Sequence, residues 1–154
     1  MATQTSGMKK RILIVDHDKQ LNKINEKVLH SAGIVSELHI ANNGKEALDY
    51  LSSRIEKQYP LPHVIIFDLD MPVMDGFKFL EKFQSLDFPG KSAIELVVFT
   101  SSSNPKDKQK ISSRGIKHYI SKPYLLRGLN DILLHMKVKP DIYGKHRYGY
   151  ETIL

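Results

Sequence analysis

The chain has 154 residues, enough for one domain with a full hydrophobic core and short tails. It has no cysteine, which excludes a disulfide framework and a thiolate metal site and fits a cytoplasmic location. The formal net charge of +6 is spread over scattered lysines, with Lys9-Lys10-Arg11 the densest cluster; without a reading motif, such charge is weak evidence for a nucleic-acid partner. No apolar run approaches the roughly 18 residues of a membrane span. The polar start, Met1 to Gly7, lacks the apolar core of a secretion signal.

In chain order, Ile12-Leu13-Ile14-Val15 is a short apolar run that predicts a strand buried on both faces. Asp16-His17-Asp18 ends it, and Asp18 is placed to cap a helix. Leu21, Ile24, Val28 and Leu29 follow at helical spacing and predict a helix over about 18–31, closed by Gly33. Val35 to Ile40 is a weaker second strand. Asn43 caps a helix over about 44–57, marked by Ala47, Leu48, Leu51 and Ile55. Tyr59-Pro60-Leu61-Pro62 breaks the chain.

Val64 to Asp68 predicts a third strand, and Gly76 opens a helix whose apolar stripe is Phe77, Leu80 and Phe83. Ile94 to Phe99 is the fourth strand. Asn104-Pro105 starts a polar helix, with Asn104 as cap and Pro105 at its first position. Ile116 to Ile120 is the fifth strand, and Lys122-Pro123 is a turn. Leu125, Leu126, Leu129, Ile132, Leu133 and Met136 give a last helix its buried face.

Five strands alternating with five helices imply a parallel sheet covered on both faces. In open sheets of this class, sites form beyond the carboxyl ends of the strands. Asp16 and Asp18 follow strand one, Asp68 ends strand three, Thr100 ends strand four and Lys122 follows strand five. Taken singly, each has an ordinary reading as a cap, a turn or a solvated loop residue. Gathered at one edge, they supply what phosphoryl transfer to a carboxylate needs. Asp68 is the candidate nucleophile. Asp16 and its neighbours can hold a hard divalent cation such as Mg²⁺. Lys122 offers a point charge and Thr100 a hydroxyl for the phosphoryl oxygens.

These pieces resemble the receiver domain of two-component response regulators, of the stand-alone type. The matching segments are Ile-Leu-Ile-Val-Asp at 12–16, Asp68 through Gly76, Val-Val-Phe-Thr-Ser at 97–101 and Tyr-Ile-Ser-Lys-Pro at 119–123. Asn43-Gly44-Lys45-Glu46-Ala47 is also similar to the family's second helix start. The resemblance implies an α/β, flavodoxin-like fold with strand order 2-1-3-4-5. It places the domain at 9–138, between a flexible segment at 1–8 and a tail at 139–154.

It further implies that Asp68 takes a phosphoryl group from a histidine kinase or a histidine phosphotransfer protein. The protein would then be a signalling phosphoacceptor with at most self-phosphorylation and self-dephosphorylation activity. Thr100 and Tyr119 would be switch residues, and helix four, strand five and helix five the responding surface, which could also support a homodimer. Asp70 would lend its backbone carbonyl to the metal. Asp70 and Ser102 would tune the lifetime of the phosphate.

One departure stands out. The family usually sets two acids side by side after the first strand, and here the second position is His17. An imidazole can bind a metal but favours softer cations than Mg²⁺, so Mn²⁺ enters as an alternative. His17 is open between a ligand and a plain surface residue, and the carboxylate of Asp70 is a candidate to replace the missing charge.

Two rival functions follow from the same residues. A degenerate receiver would bind a partner without phosphorylation. A haloacid-dehalogenase-type phosphatase would use Asp68-Leu69-Asp70, although that family places its Asp-x-Asp near the start of the chain. An EF-hand reading fails, because Pro72, Val73 and Phe79 stand where ligands and a glycine are required. The basic, aromatic tail from Asp141 is expected to cross the surface or lie disordered.

Overall fold

The structure, a computed structural model, describes residues 9–137; the readings of residues 1–8 and of the tail lie outside the described residues. Five strands form one parallel sheet in the order β2-β1-β3-β4-β5. They are β1 (Lys10–Val15), β2 (Val35–Ala41), β3 (Val64–Phe67), β4 (Glu95–Thr100) and β5 (His118–Ser121). The helices are α1 (Lys19–Ser31), α2 (Gly44–Lys57), α3 (Gly76–Ser85), α4 (Pro105–Ser113) and α5 (Leu125–Lys137). A short 3₁₀ turn, Lys91–Ala93, precedes β4. Strand ends differ from the sequence reading by one or two residues.

Side chains alternate across the sheet, so each central strand feeds two cores. Leu13, Val15, Ile65, Phe67 and Val98 pack with Leu51 of α2, Phe79, Leu80 and Phe83 of α3 and Ile111 of α4. Ile12, Ile14, Val64, Ile66, Val97 and Phe99 pack with Leu29 of α1 and Leu125, Leu129 and Leu133 of α5. Each such side chain contributes roughly 1.5–3 kcal/mol when fully buried. This explains why the three central strands read as unbroken apolar runs.

The helix starts follow from local chemistry. Asp18, Asn43, Asp75 and Asn104 each accept a hydrogen bond from a backbone N–H in the first turn of α1, α2, α3 and α4. Gly33, at φ 73°, takes the left-handed turn after α1.

Two helix faces depart from the apolar pattern. In α1, Ile24 and Val28 point outward, 56% and 36% exposed, while Asn22 and Asn25 are buried beside Leu29. The cause is a polar demand at the end of β1, where the Asn22 side-chain amide donates to the Asp16 carbonyl at 2.8 Å. In α3, Phe79 rather than Phe77 joins Leu80 and Phe83 in the core. Phe77 is only half-buried, with the Lys110 ammonium 4.3 Å from its ring centre.

Candidate functional site

Because all the strands run one way, all their carboxyl ends meet at one edge. Val15 pairs with Phe67, and the Asp68 N–H donates to the Val15 carbonyl at 3.0 Å. Asp16 and Asp68 therefore leave adjacent strands side by side. Thr100 pairs with Ser121, and the Lys122 N–H donates to the Thr100 carbonyl at 2.9 Å. This starts Lys122 on the same edge and lets its side chain reach back across β4.

The Lys122 ammonium lies 2.7 Å from Asp16 Oδ2 and 2.8 Å from Asp68 Oδ2. Both acids are almost wholly enclosed, at 1% and 4% exposure. Their other oxygens are also engaged: Asp16 Oδ1 accepts from the Asp18 N–H at 2.9 Å, and Asp68 Oδ1 from the Leu69 N–H at 2.7 Å.

Burial pushes the Asp16 carboxyl above its usual pKa, against the opposing pull of its hydrogen bond to Lys122. For Lys122, burial works against the charge, but the hydrogen bonds to Asp16 and Asp68 outweigh it and hold the ammonium above its ordinary pKa. Lys122 thus stays protonated through the neutral range.

The loop after Asp68 is held by backbone geometry. The Gly76 N–H donates to the Leu69 carbonyl at 3.0 Å. Val73 adopts φ 67°, an uncommon conformation for a β-branched residue, at 78% exposure. The Met74 carbonyl accepts from the Gly44 N–H at 3.1 Å, tying this loop to the start of α2.

The remaining expected residues fall into three groups. Asp16, His17 and Asp68 each present one ligand atom within 4.8 Å of the others, so His17 is brought to the pocket although it is exposed. Two carboxylate oxygens and an imidazole nitrogen at this spacing fit a divalent cation. The side chain of Asp70 is exposed and stands outside that trio.

Thr100 is buried at the end of β4, where its hydroxyl oxygen accepts from the Ser102 N–H at 3.3 Å. Tyr119 packs against the α2–α3–α4 core, and its hydroxyl is buried without a hydrogen bond. Burial raises its pKa, against the opposing pull of the nearby Ser102 side chain, and the negative charge of Asp107 adds to the rise. Ser102 itself donates to Asp107 Oδ2 at 2.7 Å. Sequence reasoning missed Asn22, because no local signal distinguishes a helix asparagine that ties down a strand end from one facing water.

Residues 12–134 match the family described as the response regulator receiver domain. The hybrid signal transduction histidine kinase B of Dictyostelium discoideum is 33% identical over 135 residues, covering 82% of this chain and 6% of that protein. The chain thus spans a small fraction of that curated relative. A two-component response regulator from Cytophaga hutchinsonii superimposes with a TM-score of 0.76 at 23% identity, over 85% of this chain and 99% of that one.

The Mn²⁺-bound form of response regulator Rcp1 has a TM-score of 0.65 at 28% identity, over 83% of this chain and 91% of that one. Among the described residues, no helix is long and apolar enough to cross a membrane. These likenesses favour the receiver reading over the phosphatase one. The chain belongs to the receiver domains of two-component response regulators.

Proposed function

We propose that Asp68 is the phosphoacceptor and takes its phosphoryl group from a phosphohistidine on a partner kinase or phosphotransfer protein. The observation that carries this reading is the Lys122 ammonium bridging Asp16 and Asp68 at 2.7 and 2.8 Å. A buried carboxylate beside a fixed positive charge is poised for an in-line attack whose product bears extra negative charge. As a bond forms from an Asp68 oxygen to phosphorus, the bond from phosphorus to the donor imidazole breaks. Lys122 then pairs with a phosphoryl oxygen.

A divalent cation, Mg²⁺ or the Mn²⁺ seen in Rcp1, would be held by Asp16, Asp68 and the Asp70 carbonyl, and would neutralise charge on the phosphoryl oxygens. Acetyl phosphate can replace the protein donor, so slow self-phosphorylation and self-dephosphorylation follow from the same residues. Asp70 and Ser102 set the lifetime of the phosphate.

Thr100 carries the signal outward by moving its hydroxyl, which here accepts from the Ser102 N–H, to donate its own proton to a phosphoryl oxygen. Its movement changes the packing around Tyr119 and so the surface of α4, β5 and α5, which meets a downstream protein or a second copy of the chain. The composition fits a cytoplasmic setting.

Incubation with acetyl phosphate and Mg²⁺, followed by intact mass, tests the acceptor. The wild type gains one phosphoryl group and Asp68→Asn gains none; equal labelling of both would overturn the assignment. The switch role of Tyr119 is lost if Tyr119→Ala leaves phosphorylation-dependent partner binding intact.

A further inference from the structure

We infer that His17 is a metal ligand, and that it shifts the preference of this centre from Mg²⁺ toward first-row transition ions. The inference rests on the reading of the pocket as a cation-binding phosphoacceptor centre, and it names the ion class the pocket selects. The imidazole belongs to the only trio of acids and histidines found, among the described residues, with ligand atoms within 4.8 Å of one another. Ligands at about 2.0–2.2 Å from an ion stand at most about 4.4 Å apart, so a small inward movement closes the trio on one ion. His17 is exposed at the rim, and the two carboxylates form a buried floor. The ring can make that movement without disturbing the core.

The charge of the pocket points the same way. Two carboxylates face one ammonium, leaving a single net negative charge. A neutral imidazole adds a nitrogen lone pair but no charge. Mg²⁺ gains most from anionic oxygen and sheds its water reluctantly, so it gains little from this ligand. Co²⁺ and Ni²⁺ gain from nitrogen, and affinity rises from Mn²⁺ through Co²⁺ to Ni²⁺. The exposed carboxylate of Asp70 is not one of that trio.

The test is calorimetric titration of the full chain with Mg²⁺, Mn²⁺, Co²⁺ and Ni²⁺ at one fixed pH. Wild type, His17→Ala, His17→Asp and Asp16→Asn are compared. Removing the imidazole should weaken Ni²⁺ and Co²⁺ by about tenfold or more and Mg²⁺ by less than about twofold. His17→Asp should strengthen Mg²⁺ several-fold and collapse the Ni²⁺-to-Mg²⁺ ratio. In the Co²⁺-loaded wild type, the ring protons of His17 should carry paramagnetic shifts that Asp16→Asn abolishes.

A Ni²⁺-to-Mg²⁺ ratio unchanged in His17→Ala, or unshifted His17 protons, overturns the inference. Acetyl-phosphate labelling of the same proteins at saturating Mg²⁺ separates the two readings. Labelling with an unchanged ratio rejects only the role of His17. A collapsed ratio without labelling of Asp68 rejects only the acceptor.

Discussion

A Cβ on Gly76 would stand 2.1 Å from the backbone oxygen of Asp68, closer than any two such atoms can come. The first residue of α3 therefore rests directly on Asp68, the proposed phosphoacceptor. It also meets the Leu69 backbone, at 2.8 Å from its Cα. Any side chain at position 76 has to push rigid main chain rather than a flexible side-chain tip.

Gly76→Ala should therefore cost about 1–3 kcal/mol, the usual range for overpacking. It should also displace Asp68 from Lys122. Urea unfolding measures the first effect and the rate of acetyl-phosphate labelling the second. A variant with wild-type stability and labelling would show that the β3–α3 loop is looser than this contact implies.

Asp16 works against the fold and for the site. Its pKa is raised chiefly by burial, so the ionised form is harder to hold in the folded chain than in the unfolded one. Ionised Asp16 thus subtracts stability above its folded pKa, and the penalty fades as pH falls through that value. Asp16→Asn keeps an oxygen for the Asp18 N–H and leaves Lys122 paired with Asp68.

The variant should be more stable than the wild type by roughly 0.5–2 kcal/mol at neutral pH, with the gap closing in acid, while metal affinity falls. Paired unfolding curves across the acidic range check the sign. A gap that widens as pH falls would mean that Lys122 more than compensates for the burial of Asp16.

Helix α1 shows how far the sequence could be read. Helix placement and the shared edge of Asp16, Asp68 and Lys122 were legible, because alternation and apolar runs depend on burial along the whole chain, whereas the strand order came from the family resemblance. The facing of α1 was not. Ile24 and Val28 look like core residues by spacing, yet the helix turns toward the sheet the asparagine that satisfies the Asp16 carbonyl. A single buried polar need outranked two apolar side chains, and nothing local in the sequence marks which asparagine will meet it. The approach of His17 to within 4.8 Å of the two acids was equally hidden, since spacing alone left its side chain open.

The expected stabilities follow from that facing. Asn22→Ala should cost about 1–3 kcal/mol, because it strips a buried carbonyl of its donor. Ile24→Gln and Val28→Gln should each stay within about 0.5 kcal/mol of the wild type, as exposed positions do. The reverse ranking in urea denaturation would mean that α1 is rotated from the orientation described.

His63 ties the opposite edge of the sheet to pH. Its Nδ1 accepts from the Arg11 N–H at 2.9 Å, and its backbone N–H and carbonyl bridge Arg11 and Glu95. Burial, aided by the charges of Arg11 and Lys10, pushes its pKa down from 6.5 to about 4. A protonated ring would lose the acceptor that Arg11 uses.

Between those two pH values the unfolded chain binds the extra proton and the folded chain does not. Stability from this group is complete above 6.5 and drains away as pH falls toward about 4. A shift of this size corresponds to about 3 kcal/mol for a fully enclosed group, and partial contact with water reduces it to roughly 1–2 kcal/mol. His63→Gln retains an acceptor without a titration. Carboxylates that titrate in the same window affect both proteins alike, so the difference between their urea midpoints isolates His63. The wild type should fall toward the variant as pH drops from 6.5 to about 4. Parallel curves would show that the ring is solvated enough to accept its proton in the folded chain.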